Sequence, residues 1–365
     1  MKRLFSVLAA LAALVSCAPR GNNADITLLA GTFTSGSSEG VYSFSFDPET
    51  GETVALGTVK TPNPAFLIQS ADKVYLVNEN NTAEDAVSLF RLGSGEALPV
   101  ASGSSRTDNT GPCHVSTNGS ILLASNYSGG SLDVFPLAEN GSILPFTQVF
   151  KGSATGPHPN QAEAHVHCSV FTPDGKYVLA SDFSGDRIMH FAVDGQGLEP
   201  LAEHPYTDVE PGTGPRHITF SPDGRHAYVI GELSGRVTAF DYADGVLETI
   251  QTVQADSLGA SGSADIHLSP DGRFLYASNR LKGDGIAIFS VDPESGLLEK
   301  AGYQPTGVHP RNFALSPDGR FLLCACRDDN VIQVFSRDEQ TGLLTNTGRD
   351  ISVPSPVCVL FLDVR

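Results

Sequence analysis

Four Pro-Asp-Gly tripeptides constrain this chain more than any other feature. They are Pro173-Asp174-Gly175, Pro222-Asp223-Gly224, Pro270-Asp271-Gly272 and Pro317-Asp318-Gly319, with their aspartates 49, 48 and 47 residues apart. Self-similarity at a fixed period of a few dozen residues is the signature of a repeat architecture. Each tripeptide lies between apolar runs, such as Arg216-His217-Ile218-Thr219-Phe220 before and Ala227-Tyr228-Val229-Ile230 after, which is the pattern of a β-hairpin. Asn118-Gly119 and Ala71-Asp72-Lys73 are weaker copies. A second landmark, a turn ending in Gly followed by an apolar residue, recurs from Asp47…Gly51 to Arg337…Gly342. The strand that opens each period recurs too, near Pro64, Pro112, Val166, Pro215, Asp265, Pro310 and Pro356.

Each period therefore holds about four strands, and four antiparallel strands per repeat make a propeller blade. The expected fold is an all-β, seven-bladed β-propeller. The 37 Gly and 23 Pro in an otherwise apolar chain agree with many short strands and tight turns rather than long helices. Ser355 to Leu362 looks like a first strand without its blade, and Ile26 to Lys60 like three strands without a first. The C-terminal strand is thus expected to complete the N-terminal blade and remove free sheet edges. Two stacked β domains would compete with this reading, but no linker or change of composition divides the chain.

The N-terminus reads as an address. Lys2 and Arg3 precede an apolar stretch from Leu4 to Val15 that is short for a membrane span, and Leu14-Val15-Ser16-Cys17 is similar to a bacterial lipobox. The expectation is a signal peptide over 1–16, a tether over 17–24 lipidated at Cys17, and one propeller domain over 25–365. Such a protein would be exported and held to a bacterial membrane by its lipid, facing the periplasm. The charge of −18 argues against nucleic acid as a partner, which requires a basic face. The cysteines show no metal-binding spacing. Cys113, Cys168, Cys324, Cys326 and Cys358 read as small buried hydrophobes. No cofactor motif is present.

Aligning the repeats on the turn aspartate gathers polar residues at one level. Seven residues before it stand His167, Arg216, Ala264 and Arg311; nine before it, His165, Gly214, Gly262 and His309; nine after it, Phe183, Glu232, Arg280 and Arg327. Positions equidistant from a hairpin turn are cross-strand neighbours, so Arg216 is expected beside Glu232. His267 and Asp265 lie closer to the turn, and Asp182 and Asp186 close the hairpin that begins at His167. Taken singly, Arg216 and Glu232 read more readily as a structural ion pair, and His217 as a core histidine. Several cations converging in an acidic protein point instead to an anionic or oxyanion-forming ligand.

The ordered set Thr213-Gly214-Pro215-Arg216-His217, Gly231-Glu232-Leu233, Ala264-Asp265-Ile266-His267, Ala277-Ser278-Asn279-Arg280 and His309-Pro310-Arg311-Asn312-Phe313 resembles the propeller-type 6-phosphogluconolactonase family, which also includes a muconate cyclase. Pro112-Cys113-His114-Val115 and His165-Val166-His167 fit as well. The resemblance implies hydrolysis of a lactone without metal or cofactor. It places the site on Glu232, His167, Arg216 and Arg280 as catalytic residues, with His267 and Arg311 nearby as substrate-binding candidates. The reading of the repeats adds His165, His217 and Asp182 as further substrate-binding candidates. Glu232 or His167 would act as the base. Gly231 replaces the Asn that often precedes the family Glu, and is expected to loosen the support around it. The export signal separates this chain from a cytoplasmic sugar-phosphate pathway. A non-catalytic propeller binding a sugar acid or a protein, and a lactonising cyclase, are the alternative readings.

Overall fold

The computed structural model describes residues 26–93 and 98–363. The proposed signal peptide, Cys17 and the tether lie outside the described residues. Among the described residues, thirty strands form seven antiparallel sheets. Blade 1 is built from Pro356–Phe361, Ile26–Thr32, Gly40–Phe46 and Thr53–Lys60. Its closure is antiparallel pairing of the two ends of the chain, with Leu28 opposite Phe361 and Thr32 opposite Pro356. Blades 2 to 7 open with Pro64–Ser70, Pro112–Thr117, Val166–Phe171, Pro215–Phe220, Ser263–Leu268 and Pro310–Leu315. These seven first strands each touch their two neighbours and ring the axis. Blades 4 and 7 each carry five strands because the outermost strand is broken in two: Gly197–Pro200 and Tyr206–Asp208, and Leu344–Asn346 and Ile351–Ser352.

The Pro-Asp-Gly turns show why the repeat is so regular. In each, a Thr or Ser precedes the Pro, and its hydroxyl donates to the Asp: Thr172 to Asp174 (2.7 Å), Ser221 to Asp223 (2.6 Å) and Ser316 to Asp318 (2.6 Å). The Gly N–H closes the turn onto the same Thr or Ser carbonyl, at 2.8 Å for Gly175 and 2.9 Å for Gly224. The Gly sits at φ near +70° (Gly175 +69°, Gly224 +71°), a left-handed conformation that only Gly takes without strain.

The apolar cores lie between blades rather than within them. Leu28, Phe46 and Val359 of blade 1 pack on Phe321, Leu323 and Val334 of blade 7, for example. The five cysteines after Cys17 are buried and free.

Candidate active site

Two features of the blade put side chains on the axis. The residue after each second strand stands at one level around the ring: Phe33, Glu79, Tyr127, Phe183, Glu232, Arg280 and Arg327. At the same end, every first strand carries a register irregularity against its partner, such as that between Pro215 and Ile218, or between Ser263 and Ile266. A bulge breaks the two-residue alternation of a strand and re-aims side chains. Adjacent residues such as Arg216 and His217 can therefore meet: Arg216 Nη1 lies 3.2 Å from His217 Nε2.

The centre of the site is Glu232 between two guanidiniums. Arg216 Nε donates to Glu232 Oε2 at 2.9 Å, and Arg280 Nη2 lies 3.3 Å from the same oxygen. The arginine side chains are 3% and 6% exposed, and that of Glu232 is 18% exposed. The cluster thus opens to solvent through the carboxylate. Glu232 Oε1 and Arg216 Nη2 have no hydrogen-bond partner among the described residues. Burial would raise the Glu232 carboxyl, but Arg280, Arg216 and Arg311 outweigh it and hold the group below the usual glutamate value. Burial and its three neighbouring guanidiniums push Arg280 down to about 9, with Glu232 opposing. The site therefore favours additional negative charge.

The other sequence-derived candidates separate by depth. Arg311 donates to Glu79 Oε2 (3.2 Å) and lies over the Phe33 ring. His165 stacks flat on Tyr127 at 4.1 Å and bonds its backbone carbonyl at 2.7 Å. His167 is buried beside Tyr127, Cys113 and His217, and is not hydrogen-bonded to Glu232. Burial, then the Arg216 charge, hold His167 neutral well below the ordinary histidine value. His217 is buried, with both ring nitrogens engaged by protein, and so is a supporting residue rather than a ligand contact.

Two placements correct the sequence expectation. His267 lies towards the turn end of its strand and borders a depression with Phe66, Leu268, Leu315 and Phe361, at the opposite end of the ring. Asp182 does not join the cluster. Its carboxylate is fully buried and spent on Ser153 N and Oγ, Gly185 N and Arg187 Nε. Its place at the strand end resembled that of a site residue, but its side chain closes the outer turn. The Gly231 expectation also changes. A Cβ there would meet Ser234 Oγ at 2.5 Å and the Thr213 carbonyl at 2.8 Å, so neighbouring groups fill the space that a side chain would need.

Sequence reasoning gave no site role to Glu79, Tyr127 or Phe33, although Ser125-Asn126-Tyr127-Ser128-Gly129-Gly130 also fits the family pattern. All three occupy the level of Glu232. The signal was position after the second strand. Counting from the turn aspartate missed Glu79, because its hairpin turn is shorter.

The buried histidines make a pH prediction. Burial is the main cause that lowers His114 and His167 well below 6.5, His190 and His217 to about 4, and His309 to about 3. Between pH 6.5 and those values, the unfolded chain takes up protons that the native state refuses. Each such group then removes up to about 1.4 kcal/mol of stability per pH unit. His267 has the opposite sign: its pKa is raised, burial being outweighed by Asp265, so its contribution is lost as pH rises through the folded value. The thermal midpoint should fall steeply as pH drops below about 6.5, because five lowered histidines outweigh His267. A midpoint constant from pH 7 to pH 5 would contradict the neutral assignment.

The candidate site is thus an ionised carboxylate held between buried guanidiniums on the axis of seven sheets. The chain belongs to the lactonase, seven-bladed β-propeller family, whose profile matches residues 27–361. It is 34% identical to the 6-phosphogluconolactonase of Bacillus subtilis over 345 residues, covering 91% of this chain and 97% of the relative. A solved structure from Bacteroides uniformis, provisionally named a 6-phosphogluconolactonase, is 50% identical with a TM-score of 0.90, covering 93% of this chain and all of that one. The periplasmic gluconolactonase of Pseudomonas aeruginosa is 33% identical with a TM-score of 0.88, again over 93% of this chain and all of the other. These relatives support hydrolysis of sugar lactones at the level of the family.

Proposed function

We propose that this chain opens an aldonic-acid lactone, glucono-δ-lactone or its 6-phosphate, at the axial mouth formed by Arg216, Glu232 and Arg280. The observation that carries this reading is that Glu232, ion-paired to Arg216 and Arg280 through Oε2, keeps Oε1 without a hydrogen-bond partner among the described residues, as Arg216 keeps Nη2. Water attacks the lactone carbonyl carbon while Glu232 takes its proton, and the carbonyl electron pair moves onto oxygen. Arg216 and Arg280 hold that oxyanion. As negative charge grows on the substrate, the guanidiniums stabilise Glu232 less. Its affinity for the proton therefore rises when it is needed. Collapse breaks the ring C–O bond, and Glu232 returns the proton to the leaving ring oxygen. The product acid then loses its own proton to solvent.

A pH-stat assay over phosphorylated and free sugar lactones tests this. Proton release above the spontaneous rate is expected for at least one of them. Release at background throughout would favour a propeller that only binds sugar acids.

We also propose that the chain is exported and anchored through Cys17. The order of charged, apolar and small residues from Lys2 to Cys17 supports this, as does the likeness to a periplasmic gluconolactonase. Ile26 enters the fold at the turn end of blade 1, opposite the arginine cluster, so the mouth would face away from the membrane. Labelling with an alkynyl fatty acid should mark the wild type and not Cys17→Ala. Equal labelling of both would sink the anchor.

A further inference from the structure

Asp265 is a buried carboxylate that the reaction above does not use. It stands on the first strand of blade 6, next to Ala264, within the register irregularity of that strand. Five donors converge on it. Oδ1 accepts from His217 Nδ1 (2.7 Å) and Ile266 N (3.0 Å). Oδ2 accepts from Asn312 Nδ2 (2.6 Å), His267 Nε2 (2.9 Å) and Phe313 N (3.2 Å). Asn312 Oδ1 in turn accepts from Val359 N at 2.7 Å. The first strands of blades 5, 6, 7 and 1 are thereby tied through one carboxylate.

The consequence for Arg216 follows from hydrogen-bond valence. Because Asp265 is an acceptor only, His217 must carry its proton on Nδ1, which leaves Nε2 as an acceptor. That lone pair receives one Nη1 hydrogen of Arg216, and the Ala264 carbonyl receives the other at 2.6 Å. With Nε given to Glu232, three of the five guanidinium N–H groups are fixed. The two on Nη2 then have one direction left. The other His217 tautomer would set an N–H against an N–H.

We propose that Asp265 is a positioning residue for the reaction: through the tautomer of His217 it aims the Nη2 edge of Arg216 at the substrate carbonyl. This rests on the lactonase reading of the site. Asp265→Asn is a sharp test. Three donors, Phe313 N, Asn312 Nδ2 and His267 Nε2, require an acceptor on the Oδ2 side, against Ile266 N alone besides His217 on the Oδ1 side. The new amide is therefore expected to turn its NH2 towards His217 and force the wrong tautomer. An imidazole in the wrong tautomer disables an otherwise intact site.

The expected result is a loss of about 10–100-fold in kcat with KM changed far less. In an Arg216→Ala background, Asp265→Asn should cost nothing further, because a residue acting through another gives non-additive effects. Equal losses in both backgrounds would overturn the proposal. Nitrogen-15 NMR of the histidines supplies a readout free of activity. Wild-type His217 should be Nδ1-protonated, and a wild-type Nε2–H tautomer would overturn the proposal even if the variant failed to fold. A wild-type chain that opens no lactone would instead overturn the lactonase reading, while the NMR result would still decide whether Asp265 sets the His217 tautomer.

Discussion

Glu232→Gln should lower lactone opening by about 10²–10⁴-fold, the usual range for a positioned general base, and leave the propeller folded. The amide keeps the size of the side chain and one acceptor for Arg216 or Arg280, but it cannot take a proton from water. It also leaves two buried guanidiniums short of a counter-charge. A stability loss of about 1–3 kcal/mol is expected from that imbalance, tolerable for a closed ring of seven blades. Binding moves the other way. With the carboxylate gone, the site should hold gluconate more tightly than the wild type does, because Arg216 and Arg280 lack an internal anion. The rate is read by pH-stat after subtraction of spontaneous opening, and affinity by calorimetry. Unchanged activity would remove Glu232 from the role of base. A lost rate with weakened gluconate binding would indicate a collapsed mouth rather than a missing base.

Arg216→Ala is expected to cost rate and, more than Glu232→Gln, stability. It removes the donor edge facing the oxyanion, worth about 10²–10³ in rate where single donors have been deleted. It also frees the Glu232 carboxyl to rise towards its ordinary value, since one of the charges that hold it down is gone. The same change strands His217 Nε2 and the Ala264 carbonyl, both now bonded to Nη1. Breaking a buried pair by removing one member typically costs about 3–5 kcal/mol. A clear fall in thermal midpoint should therefore accompany the lost rate. Arg216→Lys should recover little of either, because an ammonium cannot reach Glu232, His217, Ala264 and the substrate with one fixed fork. Recovery of most activity by Lys would show that Arg216 acts as a charge alone.

Much of this architecture was legible because hairpin turns have chemical requirements. A hydroxyl, a Pro, an Asp and a left-handed Gly must occur in order, and their recurrence in four hairpins sets the period from which the opening strands count seven blades. The pairing of Arg216 with Glu232 was legible for the same reason, since both lie far from one turn in one hairpin. Asp182 shows the limit of that counting. It ends a second strand just as Gly231 does before Glu232, yet its side chain is used up by Ser153 and Arg187. His267 shows another limit. Its distance from the turn already set it closer to the turn, where the structure has it, and the family resemblance alone grouped it with the arginine cluster.

Periodicity along the chain thus determined the seven blades, the closure of the ring and the level at which arginine and glutamate gather, because strand spacing is a local property. Only the tertiary structure decided which side chains face one another across blades. Asp265 meets His217 and Asn312 from strands about 48 residues away on either side, through bulges that cancel the alternation a strand would otherwise impose. Those contacts depend on how neighbouring blades dock around the axis, and that geometry has no counterpart in the spacing of residues within a single repeat.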